Sequence, residues 1–312
     1  MLPVIKTLQD AIRYFSDEPT CVKFISILKW GDDGRPFCPK CGSDNVIGLS
    51  TRPVFKCREK GCKKQFSVKV GTIFQDSALP LSKLLPALWL VCNAKNGISS
   101  HEVGRALGIR QASAWHLLHR CREAMRKGSF QKLTGIVEVD ETYIGGKIRN
   151  KHKSKQTYDF NTGRRDNKTP VMGFLQRDGE VRAMVVENTS RNTLEPRILD
   201  NIETGATVYT DGHSGYDRIC KTYEHEKVEH GAAEYVRGQV HTNSIENFWC
   251  LFKRSVRGTY TKLAPFHIDR YLDEQVFRFN NRKVTDYDRF CIAVSQMFER
   301  TLTYKELTGK LS

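Results

Sequence analysis

Apolar positions along this chain change period near residue 135, and that change divides its expected elements. Between residues 99 and 127 they recur at helical spacing. Val103, Ala106 and Leu107 form one face of a first helix, capped by Ser99 or Ser100. Ala114, Leu117, Leu118, Cys121 and Met125 form the face of a second, with Gly108-Ile109 at the corner between them. A helix over 84–92 is expected to precede the pair, with Pro86 near its start. Beyond Gly135 the pattern becomes that of strands. One is predicted over 136–144, and two more over 171–176 and 180–187, joined by a turn at Arg177-Asp178-Gly179. A helix over 193–202 leads to a strand over 206–210, and Ile245, Phe248, Trp249 and Phe252 mark a later amphipathic helix. This order predicts a mixed α/β sheet flanked by helices, behind a helical front end.

Length and composition agree with a multidomain globular chain. At 312 residues two or more domains are expected, and 39% hydrophobic content with 16 Phe, 11 Tyr and 4 Trp excludes a disordered chain. Charge adds a partner. Lys and Arg number 50 against 35 Asp and Glu, a net +15 that predicts a polyanion, nucleic acid before membrane. The excess is concentrated: residues 1–135 hold 22 basic and 10 acidic side chains, the remainder 28 and 25. The first fifteen residues carry Lys6, Asp10 and Arg13 and lack an apolar signal core, and the apolar stretch 79–94 is too short to span a bilayer. A cytoplasmic protein is expected, with a binding front end and a chemical back end.

Four of the ten cysteines are patterned. Cys38-x2-Cys41 is followed after fifteen residues by Cys57-x4-Cys62. Two such pairs close a tetrahedral site, so one structural Zn²⁺ is expected in a ribbon whose short strands include Val46-Ile47 and 53–56. Four thiolates leave no open position for catalysis. Cys21, Cys92, Cys121, Cys220, Cys250 and Cys291 lie singly and read as buried small hydrophobes. The helix pair 99–127 has the pattern of a helix-turn-helix. Its second helix would offer Arg110, Gln111, Ser113, His116 and His119 to DNA, with Arg110, Gln111 and His116 nearest base edges. Residues 1–127 are expected to bind DNA without the rest.

The back end carries the candidate chemistry. Asp140 and Glu141 are adjacent on the first strand, and Asp211-Gly212-His213 follows the strand over 206–210. Acidic residues at strand ends, beside a basic stretch over 145–168 that reads as a mobile loop, suit two-metal phosphoryl transfer.

Four blocks, VEVDETYIGGK, VYTDGHSGYD, HTNSIENFWCLFKRSVRGTY and RYLDEQVFRFNNR, resemble the IS1595/ISXO2-like transposases, from about residue 20 to 283. The resemblance implies a bacterial insertion-sequence enzyme with an N-terminal zinc ribbon and an RNase H-like (retroviral-integrase-like) mixed α/β catalytic domain of DDE type. It implies cleavage and strand transfer at insertion-sequence ends, with two catalytic Mg²⁺ or Mn²⁺ ions. The partners would be double-stranded DNA, both terminal inverted repeats and target, bound by at least a homodimer. The implied layout is an N-terminal helical segment (1–34), zinc ribbon (35–75), helix-turn-helix region (80–130), catalytic domain (135–285) and C-terminal helix (286–312). Asp140 and Asp211 match the first two acidic positions and are expected on neighbouring strands. The third falls in HTNSIENFW. Asn243 and Glu246 are three apart and share a helix side, and the carboxylate is the stronger ligand for a hard cation. Glu246 is therefore favoured, with Asn243 orienting it or touching substrate. Lys253 matches the family's basic residue and lies two helical turns after Glu246. Rival readings are a ligand-binding transcription regulator, an inactive domesticated transposase, and a nuclease that cuts without joining.

Overall fold

The computed structural model describes residues 5–126, 131–146, 152, 168–228, 240–261 and 263–309. Most of the basic stretch 145–168 lies outside them. The chain forms two compact units, Met1–Arg126 with Lys283–Ser312, and Lys127–Arg282.

The first unit opens with α1 (Leu8–Tyr14) and α2 (Glu18–Trp30), whose first turns are capped by Thr7 and Asp17. Three short antiparallel strands follow, β1 (Val46–Gly48), β2 (Phe55–Cys57) and β3 (Gln65–Phe66). Next come α3 (Leu81–Asn93), α4 (Ser100–Leu107) and α5 (Gln111–Met125). Ser99 and Glu102 form a capping box on α4, and Gly108 ends that helix at φ +60°, a conformation that costs glycine nothing. Pro80 gives α3 no side-chain cap. The carboxylate of Glu18 supplies it instead, accepting from the amides of Leu81 and Ser82 at 2.9 and 3.0 Å.

The second unit is built on a five-stranded sheet of order β6-β5-β4-β7-β8. Central β4 (Ile136–Ile144) pairs antiparallel with β5 (Thr169–Gln176), which pairs likewise with β6 (Val181–Val185). After α6 (Arg191–Asn201), β7 (Thr207–Asp211) pairs parallel with β4 on its other side, and β8 (Glu224–Val228) pairs parallel with β7. The sheet is apolar on both faces, because helices cover both. Val137, Val139, Met172 and Phe174 pack with Leu194 and Ile198 of α6. Val171, Leu175 and Val181 pack with Ile245, Phe248, Trp249 and Phe252 of α7 (Asn243–Ser255) and Leu272 of α8 (Ile268–Asn280). Strand alternation therefore turns Glu138 and Asp140 toward α7. Opposite Asp140 in the β4–β5 register stands Gly173, where a Cβ would lie 2.5 Å from Trp249 Cζ2. Only glycine lets α7 approach the sheet this closely.

The chain then returns to the first unit. Phe290 of α9 (Asp286–Ser295) sits among Phe15, Phe24 and Trp89, with centroids 5.3–6.3 Å away. Ile73 donates to the Met297 carbonyl at 3.0 Å, and Arg300 donates to the Glu123 carbonyl at 2.7 Å, near the end of α5. A short α10 (Tyr304–Leu307) closes the chain. A fragment ending at residue 127 would lack Phe290 and leave that aromatic cluster open. The compact front-end unit is therefore discontinuous in sequence.

Candidate functional site

The ribbon brings its four cysteines together as their spacing predicts. One sulfur from each of Cys38, Cys41, Cys57 and Cys62 lies within 4.8 Å of all the others. Cys38 and Cys62 Sγ are 3.6 Å apart, Cys41 and Cys57 Sγ 3.7 Å. A disulfide needs about 2.05 Å. A tetrahedral ion with Zn–S bonds of about 2.3 Å needs sulfur–sulfur edges near 3.8 Å, so the donor set fits Zn²⁺. Trp30, Val46, Phe55, Phe66 and Val70 form the small apolar cluster packed with these cysteines.

Asp140 from β4, Asp211 from the end of β7 and Glu246 from the first turn of α7 line one cleft of about 800 Å³. The parallel pairing of β4 with β7 makes the two aspartates neighbours. Lys253, Arg254, Arg257 and Gly258 line the same cleft, on α7 and the π-helical turn Val256–Tyr260 that extends it. Burial, then the like charges of Glu141, Asp211 and Glu246, push the Asp140 carboxyl up to about 7. The pocket gathers carboxylates under a basic rim, though among the described residues only the four cysteines converge within 4.8 Å of one another. Hard divalent cations suit the donors, and a phosphodiester suits the rim.

Glu246 is oriented by a residue that sequence reading missed. Buried Thr242 donates from Oγ1 to Glu246 Oε1 at 3.0 Å. Asn243 is exposed in the first helical turn and is not among the described residues lining the cleft. The helix begins at Asn243, which directs that side chain to solvent and leaves the preceding Thr242 facing inward.

Two further carboxylates belong to the site: Glu141, noted in the sequence beside Asp140, and Glu138, which was not. Glu141, next to Asp140 on β4, also lines the cleft and receives a hydrogen bond from the buried Tyr216 hydroxyl, with His213 Nδ1 3.7 Å away. Burial is the main cause raising its pKa. Glu138, fully buried two residues before Asp140, accepts from the backbone amides of Ser244 and Ile245 at 2.9 and 3.0 Å. Arg177 Nε donates to its other oxygen at 2.9 Å. An acidic residue inside an apolar strand run was the available signal for Glu138, since such a group must find partners when buried.

In the front unit, Arg110 and Gln111 are exposed at the start of α5, and Gln111 Nε2 donates to Ser100 Oγ at 2.8 Å. His116 does not share that exposure. It is half-buried against the Tyr304 ring, 5.7 Å between centroids, and burial lowers its pKa. His119 is fully buried, so neither histidine stands on the open face of α5 as expected. The Tyr304 contact of His116 comes from far along the chain, where local helical spacing does not reveal it. Cys220 and Cys250 are exposed and Cys291 is half-buried, correcting their reading as core residues. Among the described residues no helix is long and apolar enough to cross a membrane.

With this geometry in hand, the comparisons with known proteins agree across both units. Residues 132–280 match the ISXO2-like transposase domain, and residues 16–65 match the transposase zinc-ribbon domain. The chain thus carries an ISXO2-like transposase domain and a transposase zinc-ribbon domain. An uncharacterized protein in transposable element ISH50 of Halobacterium salinarum is 26% identical over 283 residues, covering 86% of this chain and 94% of that one. The similarity thus reaches a halophile and does not single out a bacterial host. Among solved structures, a chain of the simian T-cell lymphotropic virus intasome in complex with PP2A regulatory subunit B56 gamma is 13% identical. That match covers 72% of this chain and 69% of the other at a TM-score of 0.24, too low to bear on the fold.

Proposed function

We propose that this transposase cleaves DNA at the ends of its insertion sequence and joins the freed ends to target DNA, in the cleft of Asp140, Asp211 and Glu246. The observation that carries the reading is the convergence of these three carboxylates from separate elements beneath Lys253, Arg254 and Arg257. The sheet supports an RNase H-like assignment, with a central strand antiparallel to a hairpin on one side and parallel to its neighbours on the other. Asp140, Asp211 and Glu246 would hold two Mg²⁺ or Mn²⁺ ions, which when bound supply activation of the attacking oxygen and stabilisation of the departing one. Thr242 keeps Glu246 directed into the cleft. Lys253, two turns along α7, neutralises a phosphate of the transferred end, and Arg254 and Arg257 extend that contact along the strand.

The front unit is the recognition module. Helices α4 and α5 serve as a helix-turn-helix, with exposed Arg110 and Gln111 addressing the terminal inverted repeats as at least a dimer on DNA. One structural Zn²⁺ on Cys38, Cys41, Cys57 and Cys62 holds the ribbon beside it.

Incubation of the full chain with Mg²⁺ and a labelled fragment bearing its own element's ends tests the reading. Nicking that leaves a free 3′-hydroxyl, followed by joining, is expected. Asp140→Asn and Glu246→Gln each reduce cleavage by about 10³-fold or more, roughly 4 kcal/mol of transition-state stabilisation, with DNA binding intact. Asn243→Ala only slows it. Retained cleavage in Glu246→Gln with loss in Asn243→Ala would move the third position to Asn243. No Mg²⁺- or Mn²⁺-dependent cleavage by the wild type would end the proposal.

A further inference from the structure

We infer that Glu138 is a positioning residue for the catalytic cluster: it clamps the N-terminus of α7 to β4 and so sets where Glu246 stands relative to Asp140. The inference rests on the function proposed above.

The need for a clamp follows from how the site is assembled. Asp140 is fixed by strand pairing, but Glu246 rides on a helix that reaches the sheet from more than a hundred residues away. Helix α7 begins without a side-chain cap of its own, so its first amides require outside acceptors. Glu138 provides one. Its Oε2 accepts from Ser244 N and Ile245 N, while Oε1 faces Arg177 Nε at 2.9 Å and His241 Nδ1 at 3.5 Å. Arg177 also donates to the His241 carbonyl at 3.1 Å and lies over the Tyr209 ring at 4.8 Å, so the guanidinium is itself held. The carboxylate is fully buried and saturated, and it meets the positive end of the helix dipole.

Position gives the clamp its consequence. Glu138 lies two residues before Asp140 on the same face of β4, and its helix contacts, Ser244 and Ile245, immediately precede Glu246. The rigid path between the two cleft carboxylates is therefore very short. Farther along α7, Trp249 seats against Gly173, the strand partner of Asp140. These two contacts bracket Glu246 on the helix. The Glu18 carboxylate caps α3 in the same way, without a cluster of acids beside it. Among the described residues α3 and α7 are thus both capped by a distant glutamate, and of these two only α7 carries a cleft carboxylate.

The test compares wild type with Glu138→Gln and with Ser244→Pro in the full chain. The second variant removes one amide donor, leaves every charge in place, and sets proline in the first helical turn, where it is tolerated. Mn²⁺ binding is read by electron paramagnetic resonance, cleavage by Mg²⁺ titration, DNA affinity by gel shift, and folding by thermal melting. Loss of an orienting residue around a metal site costs about 10- to 100-fold in metal affinity or activity. Both variants should weaken Mn²⁺ binding and raise the half-saturating Mg²⁺ concentration about tenfold or more, with DNA affinity unchanged at a temperature where both are folded. Variants with a lowered melting temperature but wild-type Mn²⁺ affinity and Mg²⁺ dependence would reduce Glu138 to a structural cap and overturn the inference. Wild type that binds Mn²⁺ without cleaving would overturn the proposed function alone. Wild type that binds no Mn²⁺ would overturn both.

Discussion

The two candidate metal sites of this chain are built by opposite strategies. The ribbon site takes all four ligands from twenty-five consecutive residues, and its sulfurs meet within 4.8 Å because short turns and small antiparallel strands leave the knuckles little choice. The acidic cleft takes its carboxylates from β4, β7 and α7, spread over more than a hundred residues, and depends on sheet pairing, helix packing and a buried clamp. The difference teaches where each fails. A local site with little core is held by its metal, whereas a dispersed site is held by the fold and strained by its own charges.

The largest expected effect is on the ribbon. Structural Zn²⁺ contributes an apparent ~10–16 kcal/mol of folding free energy to small domains. Cys57→Ser, or strong chelation, should unfold residues around 35–70 and abolish DNA binding. The melting transition of the sheet unit should persist in calorimetry. A ribbon that stays folded without metal, judged by Trp30 fluorescence, would break the contrast.

The acidic cleft should respond to metal removal in the reverse sense. Asp140 has a folded pKa of about 7 against an ordinary value of 3.8. A raised carboxyl pKa means the protonated form is the one the fold favours. Its stability contribution is complete below about pH 4 and is lost as pH rises to about 7. Metal-free protein should therefore lose stability across that window, and Asp140→Asn should recover ~2–4 kcal/mol at pH 8 and almost nothing at pH 4. Saturating Mg²⁺ should reverse the order, making wild type the more stable. Thermal melts of both proteins at the two pH values, with and without Mg²⁺, decide it. A variant less stable than wild type in the absence of metal at pH 8 would show that the carboxylates do not strain the fold.

A smaller effect separates the sites most sharply. Gly173→Ala places a methyl against Trp249, and such overpacking costs ~1–3 kcal/mol. Helix α7 must shift, so cleavage should fall while Zn²⁺ content and front-unit melting stay at wild-type values. Unchanged cleavage would mean that the seat of α7 on the sheet does not govern the cleft.

Much of this molecule could be read from its sequence. The ribbon ligands, the helix pair about Gly108 and the strand that carries Asp140 were legible because each depends on spacing within a few residues. The cleft was legible only in outline. Asp140, Asp211, Glu246 and Lys253 were singled out, but Thr242 as the partner of Glu246 was not, because a side chain's direction at a helix start depends on where the first turn begins. His116 and His119 were misjudged for a related reason. His116 is half-buried against Tyr304, 188 residues downstream, and His119 is buried beside Trp115 of its own helix.

Periodicity, cysteine spacing and charge asymmetry by themselves determined the class of the elements, the four-cysteine cluster and the basic character of the front end. Those properties are set by local geometry and by composition, which no later packing can alter. Tertiary structure alone decided that Lys283–Ser312 completes the front unit and that Glu138 caps α7. It also decided that Gly173 makes room for Trp249 beside Asp140. Each of these depends on which distant surfaces bury one another. Buried polar groups then take whatever partner the packed fold brings within hydrogen-bond reach, and chain order does not encode that choice.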